Sequence, residues 1–374
     1  MWLVAAALAL SGACGGSSSL PSPTPSPIGA GLPPVGPAPE HLDLAQPWVA
    51  AAPVDVGMDA AGLGQAAARA ATVPRFRGLL VARHGRLVLE EYFHGAGADT
   101  PFDVRSVTKS VVSALVGIAL RENVFPDEDA PVAPYLEAAY ALDDADRTVT
   151  LRHLLTMTSG FLWDDGPDYN LWIASPDHVQ YLLDRPHAHP AGAVFTYNSA
   201  AVHALGVAVQ RAADEPLPDY ARGRLFGPLA ITNVSWEVLD RGTVNGGAGI
   251  HLLGRDLLKL GQLFLQGGWS GGRSVVPEAW VAEVSSPHFP WRDTHGAQQR
   301  VTYGMLWWVS DAEPAAFFAW GYGGQFVYVV PSLALVAVTT TDWTNLTETT
   351  PEALAQECLG VIVQNVLPSA RSTP

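Results

Sequence analysis

Lysine is almost missing from this chain: among 374 residues there are two, Lys109 and Lys259, and arginine supplies the rest of the 21 basic side chains. Cysteine is as scarce, with Cys14 and Cys358 alone, which excludes a disulfide-stapled scaffold. Positive charge is short overall, and a formal net charge of -15 argues against nucleic acid as a partner. Beyond the N-terminus no apolar run is long enough to span a bilayer. With 48% hydrophobic residues, the chain can still bury a sizeable core in one large or two intertwined domains.

A composition this poor in lysine tolerates one where an amine, and not a guanidinium, is required. A desolvated ammonium can lose its proton near neutral pH, whereas a guanidinium effectively cannot. Lys109 stands three residues after Ser106 in Ser106-Val107-Thr108-Lys109, and Val112, Leu115, Val116 and Ala119 continue an apolar helical pattern. Positions i and i+3 share a helix face, so the Ser106 hydroxyl and the Lys109 amine fall within hydrogen-bond reach. A serine hydroxyl is a weak nucleophile until a neighbour takes its proton, and a neutral lysine can do so. The spacing makes Ser106 a candidate nucleophile and Lys109 its general base.

The first fourteen residues read as an export signal: Leu3 to Leu10 is apolar, and Ser11-Gly12-Ala13 brings small residues up to Cys14. The arrangement resembles a bacterial lipoprotein signal with Cys14 as the lipidated residue. That would tether the protein to a membrane in the periplasm or at the outer membrane, the alternative being simple secretion. Residues 15–40, dense in proline, serine and glycine, cannot bury enough apolar surface to fold and read as a linker. Residues 41–368 then form the folded domain. A helix is expected over Ala60 to Ala71, a hairpin over Gly78 to Ala82 and Leu87 to Phe93, and late strands at Phe317 to Trp320, Phe326 to Val330 and Leu333 to Thr339. A final helix from Glu352 to Val363 carries Cys358 as a small core residue. Strands at both ends around a helical middle predict an α/β chain of the α+β type: one antiparallel sheet flanked by helices, a mainly helical lobe, and a cleft between them.

Phe102-Asp103-Val104-Arg105-Ser106-Val107-Thr108-Lys109-Ser110, Leu151 to Gly160 and Phe195-Thr196-Tyr197-Asn198-Ser199, followed by Arg255 to Gln262, Tyr303 to Trp308 and Gly321-Tyr322-Gly323-Gly324-Gln325, resemble in order the serine β-lactamase and penicillin-binding superfamily. Within it they are similar to the class C-like branch of esterases, DD-peptidases and nylon-oligomer hydrolases. The resemblance implies a β-lactamase/transpeptidase-like fold. It casts Ser106 as the acylated nucleophile, Lys109 as proton acceptor and Tyr197 as the tyrosine that relays the proton to the leaving group, its pKa lowered beside a cationic lysine. Gly321 to Gln325 falls where the family has its Lys-Thr-Gly strand. The backbone N–H groups of Gln325 and Ser106 are then the oxyanion donors, and Gly323 and Gly324 let substrate approach the backbone.

Two residues differ from the family pattern in ways that bear on substrate. Ser199 replaces the asparagine of Tyr-x-Asn and Tyr322 replaces the lysine of Lys-Thr-Gly, which disfavours β-lactam turnover while leaving acyl transfer intact. Trp163, Asp164, Asp165, Asp168, Tyr169 and Trp172, with Trp307, Trp308 and Trp320, are candidate walls for an apolar acyl chain with an amino group near the acids, with Trp163 and Asp164 assigned to substrate. Two rival sites are weaker. Gly268-Trp269-Ser270-Gly271-Gly272 fits G-x-S-x-G but lacks the strand-turn-helix setting of a nucleophile elbow. His187-Ala188-His189 has no acid at metal-ligand spacing, so no metal is assigned. The expectation is an exported serine hydrolase acting without a cofactor on a small ester, amide or peptide. The alternative is a penicillin-binding or cell-wall-sensing relative that acylates without turnover.

Overall fold

The computed structural model describes residues 41–370. The expected signal segment 1–14, with Cys14 as its expected lipidation site, and the expected 15–40 linker lie outside those residues. The first ordered hairpin is β1 (Phe76–Arg83) and β2 (Arg86–Tyr92), turned at His84 and Gly85, both with positive φ. A two-residue turn of this kind matches the right-handed twist of its strands. Along β1, seven of eight residues are buried, because the strand is covered on both faces. Short β3 (Phe102–Asp103), β4 (Ser235–Trp236) and β5 (Ile250–Leu252) form a separate three-stranded sheet in the order β3-β5-β4. A small hairpin follows as β6 (Trp269–Ser270) and β7 (Arg273–Ser274).

The late strands are β8 (Asp293–His295), β9 (Gln298–Tyr303), β10 (Trp308–Ser310), β11 (Ala316–Gly321), β12 (Gln325–Val330) and β13 (Leu335–Thr341). They join the first hairpin in one sheet of order β2-β1-β13-β12-β11-β10-β9-β8. The union of the two chain ends is antiparallel, with Leu80 opposite Val338 and Ala82 opposite Val336. Helices α1 (Ala60–Thr72), α2 (Val107–Arg121), α3 (Leu151–Leu155), α4 (Pro167–Ile173), α5 (Ser199–Ala212), α6 (Gly254–Leu265) and α7 (Pro351–Val361) supply the flanking layers and the lobe.

Strand alternation decides which helix covers which face. Val327, Val329 and Val336 crowd Gly261 of α6, whereas Gly324 approaches Cys358 of α7 from the other side. Cys358 is fully buried there, as a core residue. The expected architecture of an antiparallel sheet flanked by helices, with a helical lobe, is the observed one. The strands from Asp293 to Ser310 were not anticipated, since Gly304 and the Trp307-Trp308 pair interrupt any period-2 pattern. The G-x-S-x-G segment is the β6–β7 hairpin, and Ser270 Oγ accepts the backbone N–H of Leu44 at 2.9 Å.

Two glycines separate helix propensity from packing. A Cβ at Gly261 would lie 2.5 Å from Val336 Cγ1 and 2.8 Å from Val327 Cγ1, while one at Gly64 of α1 meets nothing within 4 Å. Chemical denaturation should therefore find Gly64→Ala stabilised by about 0.5–1 kcal/mol. Gly261→Ala should lose about 1–3 kcal/mol through overpacking, despite the same gain in propensity.

Candidate active site

Ser106 is the N-cap of α2, partly exposed, and its hydroxyl makes no capping bond. Arg105 before it adopts φ +48, the left-handed turn that lets the chain leave β3 and enter the helix at once. One turn into α2, Lys109 is 1% exposed. Its Nζ lies 2.9 Å from Ser106 Oγ, 2.9 Å from Ser199 Oγ and 2.6 Å from the carbonyl oxygen of Gly247. Burial lowers the pKa of this amine from 10.5 to about 7; the carboxylate of Asp165 opposes the shift and the guanidinium of Arg105 adds to it. The other lysine, Lys259 of α6, donates to the carbonyl of Leu229 at 2.7 Å and takes no part.

Each neighbour of the amine is fixed by its own local structure. Ser199 opens α5, which Asn198 caps by accepting the N–H of Ala201 at 2.9 Å. The Gly247 carbonyl is presented by a turn in which Asn245 Oδ1 accepts the N–H groups of Gly247 and Ala248 at 3.1 and 3.0 Å. Only glycine fits at 247, since a Cβ would stand 2.4 Å from the Ser199 carbonyl oxygen. Asp165 accepts Ser199 N–H at 2.8 Å on one oxygen and Ser199 Oγ–H at 3.0 Å on the other. Trp163 Nε1 also donates to Asp165, at 2.9 Å.

These contacts revise several sequence expectations. Ser199 is 2% exposed and bonded to Lys109 and Asp165, so it serves the amine and not a substrate group. Trp163 is a buried residue that holds Asp165, and Asp164 is exposed, accepting the Gly166 N–H in its own turn at 3.2 Å. Trp172 and Trp307 are core residues as well, whereas Trp308 stacks on Tyr197 at 6.1 Å between ring centroids and Trp320 packs against Trp308 at 5.4 Å.

Tyr197 sits with its ring centroid 4.9 Å from Lys109 Nζ. Its phenol is pushed up, first by burial and then by the carboxylate of Asp165, with the nearby Ser106 hydroxyl and Arg105 pulling less strongly the other way. The expected lowering beside a cationic lysine does not occur, because burial of the phenol and then the Asp165 carboxylate push it the other way. Tyr197 is a neutral phenol.

The Gly321 to Gln325 segment is the β11–β12 hairpin, with Gly323 at φ +75 and Gly324 at φ +100. Gly321 touches the nucleophile turn: a Cβ there would be 2.2 Å from the carbonyl oxygen of Val104. Gly323 packs under Trp343 and Gly324 against Cys358. Gln325 is fully buried, pairs with Gly321 across the hairpin, and holds Thr341 through its side chain. Tyr322 lies edge-on to Trp343, with centroids 5.7 Å apart. Tyr303 to Trp308 supports the site from behind: Ser110 and Ser113 of α2 donate to the carbonyls of Leu306 and Met305 at 2.7 and 2.9 Å.

His187 meets acids from distant sequence. Its Nε2 is 3.0 Å from Asp146 Oδ1, with Asp143 close enough to complete a three-residue group, although His189 has no place in it. Asp146 is committed to His187 and to the Asp143 N–H, which accounts for the cluster as a hydrogen-bonded loop tie.

A family model described as Beta-lactamase matches residues 70–357. The chain belongs to this family. Among relatives, it is 25% identical over 288 residues to the 6-aminohexanoate-dimer hydrolase of Paenarthrobacter ureafaciens, covering 71% of this chain and 72% of that one. Two solved structures share the fold with a TM-score of 0.64: EstCE1, a hydrolase with promiscuous acyltransferase activity, and an octameric penicillin-binding protein homologue from Pyrococcus abyssi. EstCE1 is 19% identical, covering 81% of this chain and 98% of its own, and the Pyrococcus protein is 16% identical, covering 82% and 76%.

An amine with this pKa should control the reactivity of Ser106 toward a fluorophosphonate. The labelling rate is expected to rise with pH through a midpoint near 7, since only the unprotonated amine can accept the serine proton. Asp165→Asn removes the charge that favours the ammonium, so its midpoint moves to lower pH. A profile that is flat from pH 5 to 9 would separate Lys109 from Ser106.

Proposed function

We propose that this member of the β-lactamase family is a serine hydrolase that cleaves an ester or amide through an acyl-enzyme on Ser106, with Lys109 as general base. One observation carries the reading: a buried amine, its pKa lowered to about 7, lies 2.9 Å from Ser106 Oγ with two further oxygens able to hold its N–H groups in the neutral form. Such an amine has two N–H donors and one lone pair. Gly247 O can only accept, and Ser199 Oγ, its own hydrogen given to Asp165, is also left to accept. The lone pair is then directed at the Ser106 hydroxyl. The network thus poises the proton transfer that turns the hydroxyl into a nucleophile.

Attack on the carbonyl forms the Ser106 Oγ–carbon bond while the hydroxyl proton passes to Lys109. The oxyanion is held by the Ser106 N–H at the start of α2 and by a second amide from the β11–β12 hairpin. The resemblance assigns that second donor to the backbone N–H of Gln325, which pairs with Gly321 across the hairpin. The proton returns from Lys109 through the neutral Tyr197 hydroxyl to the leaving group, whose bond to the acyl carbon breaks. Water enters by the reverse path and frees the acid. The relatives named a 6-aminohexanoate-dimer hydrolase and EstCE1 support amides and esters as the substrate class. Export through Cys14 is part of the proposal on sequence grounds alone.

A panel of p-nitrophenyl esters, 6-aminohexanoate dimer, nitrocefin and a D-Ala-D-Ala peptide tests this. Turnover of an ester or linear amide is expected, with Ser106→Ala and Lys109→Ala each lowering kcat by about a thousandfold or more, as for nucleophile and base removals elsewhere. Lys109→Arg should fare no better, since a guanidinium cannot be deprotonated. Stable penicillin labelling with no hydrolysis of any panel member would favour the sensor instead.

A further inference from the structure

Arg105 is a cation placed directly before Ser106; the Tyr169 side chain hydrogen-bonds it, and Asp103 stands within ion-pair range at 3.8 Å. The guanidinium carbon stands 4.5 Å from the ring centroid of Trp343 and 5.4 Å from that of Tyr169, so aromatic rings flank the group. Its side chain keeps 17% of its surface open. The acid closest to it in sequence, Asp103, uses one oxygen to accept the backbone N–H of Arg105 at 3.0 Å, and its other oxygen is 3.8 Å from Nη1, outside hydrogen-bond range. Glu237, whose charge also reaches Arg105, accepts from Asn245 Nδ2 at 2.8 Å. Arg105 Nε is buried with no hydrogen-bond partner at all.

An orphaned donor on a buried guanidinium is costly to leave unpaired. The Tyr169 side chain takes part of the guanidinium edge and Nε is left without a partner; an edge with such an open donor is where a planar carboxylate binds through two parallel N–H···O bonds. Arg105 lies within the field of the reacting groups, since its charge lowers the pKa of both Lys109 and Tyr197. We propose that Arg105, framed by Tyr169 and Trp343, binds a carboxylate carried by the substrate, which makes the preferred substrate an anionic ester or amide. The inference rests on acyl transfer at Ser106 and adds to it the charge of the molecule transferred.

The test compares matched esters on the wild type, Arg105→Met and Arg105→Lys. One arm places the carboxylate in the acyl part, p-nitrophenyl hydrogen glutarate against p-nitrophenyl valerate. The other places it in the leaving group, 4-butyryloxybenzoate against phenyl butyrate. In each arm the neutral ester is the internal reference, so any effect of the substitution on Lys109 cancels in the ratio of kcat/KM values. In at least one arm, Arg105→Met is expected to lower the anionic-to-neutral ratio by 10- to 100-fold, mostly through KM, with Arg105→Lys recovering part of it. Ratios that agree within threefold across the three proteins in both arms overturn the proposal. Failure of the hydrolase reading looks different, as no ester is turned over by the wild type. In that case calorimetry with monomethyl glutarate decides: binding weakened at least tenfold by Arg105→Met upholds the carboxylate site, and equal or absent binding in both proteins rejects it.

Discussion

The constraint on which the rest depends is the burial of one amine. Lys109 has been taken out of water and given three oxygen neighbours, and the chain assembles four separate segments to do it: the α2 turn, the start of α5, the Asn245–Gly247 turn and the loop that ends in Asp165. A cation in that position would cost several kcal/mol in desolvation, which is why the proton leaves near pH 7. Asp165 keeps the shift from going further. The acid lies beyond Ser199 and not against the amine, so its field is felt while its hydrogen bonds are spent on the serine and on Trp163.

Seen this way, the change from Tyr-x-Asn to Tyr-x-Ser is a substitution of parts. A shorter hydroxyl side chain takes the family asparagine's position, and Asp165 with its Trp163 anchor makes up the reach. The aromatic cluster of Tyr197, Trp308, Tyr303 and Trp320 packs together, with the Tyr197 ring 4.9 Å from Lys109 Nζ. Its bulk keeps Tyr197 a neutral hydroxyl, suited to passing a proton on without holding a charge.

Much of this was legible in the residues. The Ser106–Lys109 spacing places both groups on one helix face whatever surrounds them, and the alternating apolar runs at Gly78 to Phe93 and Phe317 to Thr339 define the sheet that joins them. What escaped was long-range. Asp165 lies 34 positions before Ser199, and nothing in Trp163-Asp164-Asp165 says which acid turns inward; the exposed Asp164 was the one assigned to substrate. Asn245 and Gly247 form an ordinary-looking loop whose purpose is visible only when its carbonyl meets the amine. The direction of the Tyr197 shift was missed for a related reason, since proximity to lysine was legible and the burial of the phenol beside Asp165 was not. The strands from β8 to β10 carry no periodic signature, because their residues answer to Tyr197 and α2 as well as to the sheet.

The pairing of β1 with β13 has a consequence for how the protein comes into being. Ribosomes deliver the serine long before they deliver Leu335 to Thr341, and the hairpin that abuts the Val104 carbonyl closes only when those last strands are in register. On the proposed mechanism, an amine still in water holds its proton, so a chain that has yet to pair those strands carries Ser106 unactivated.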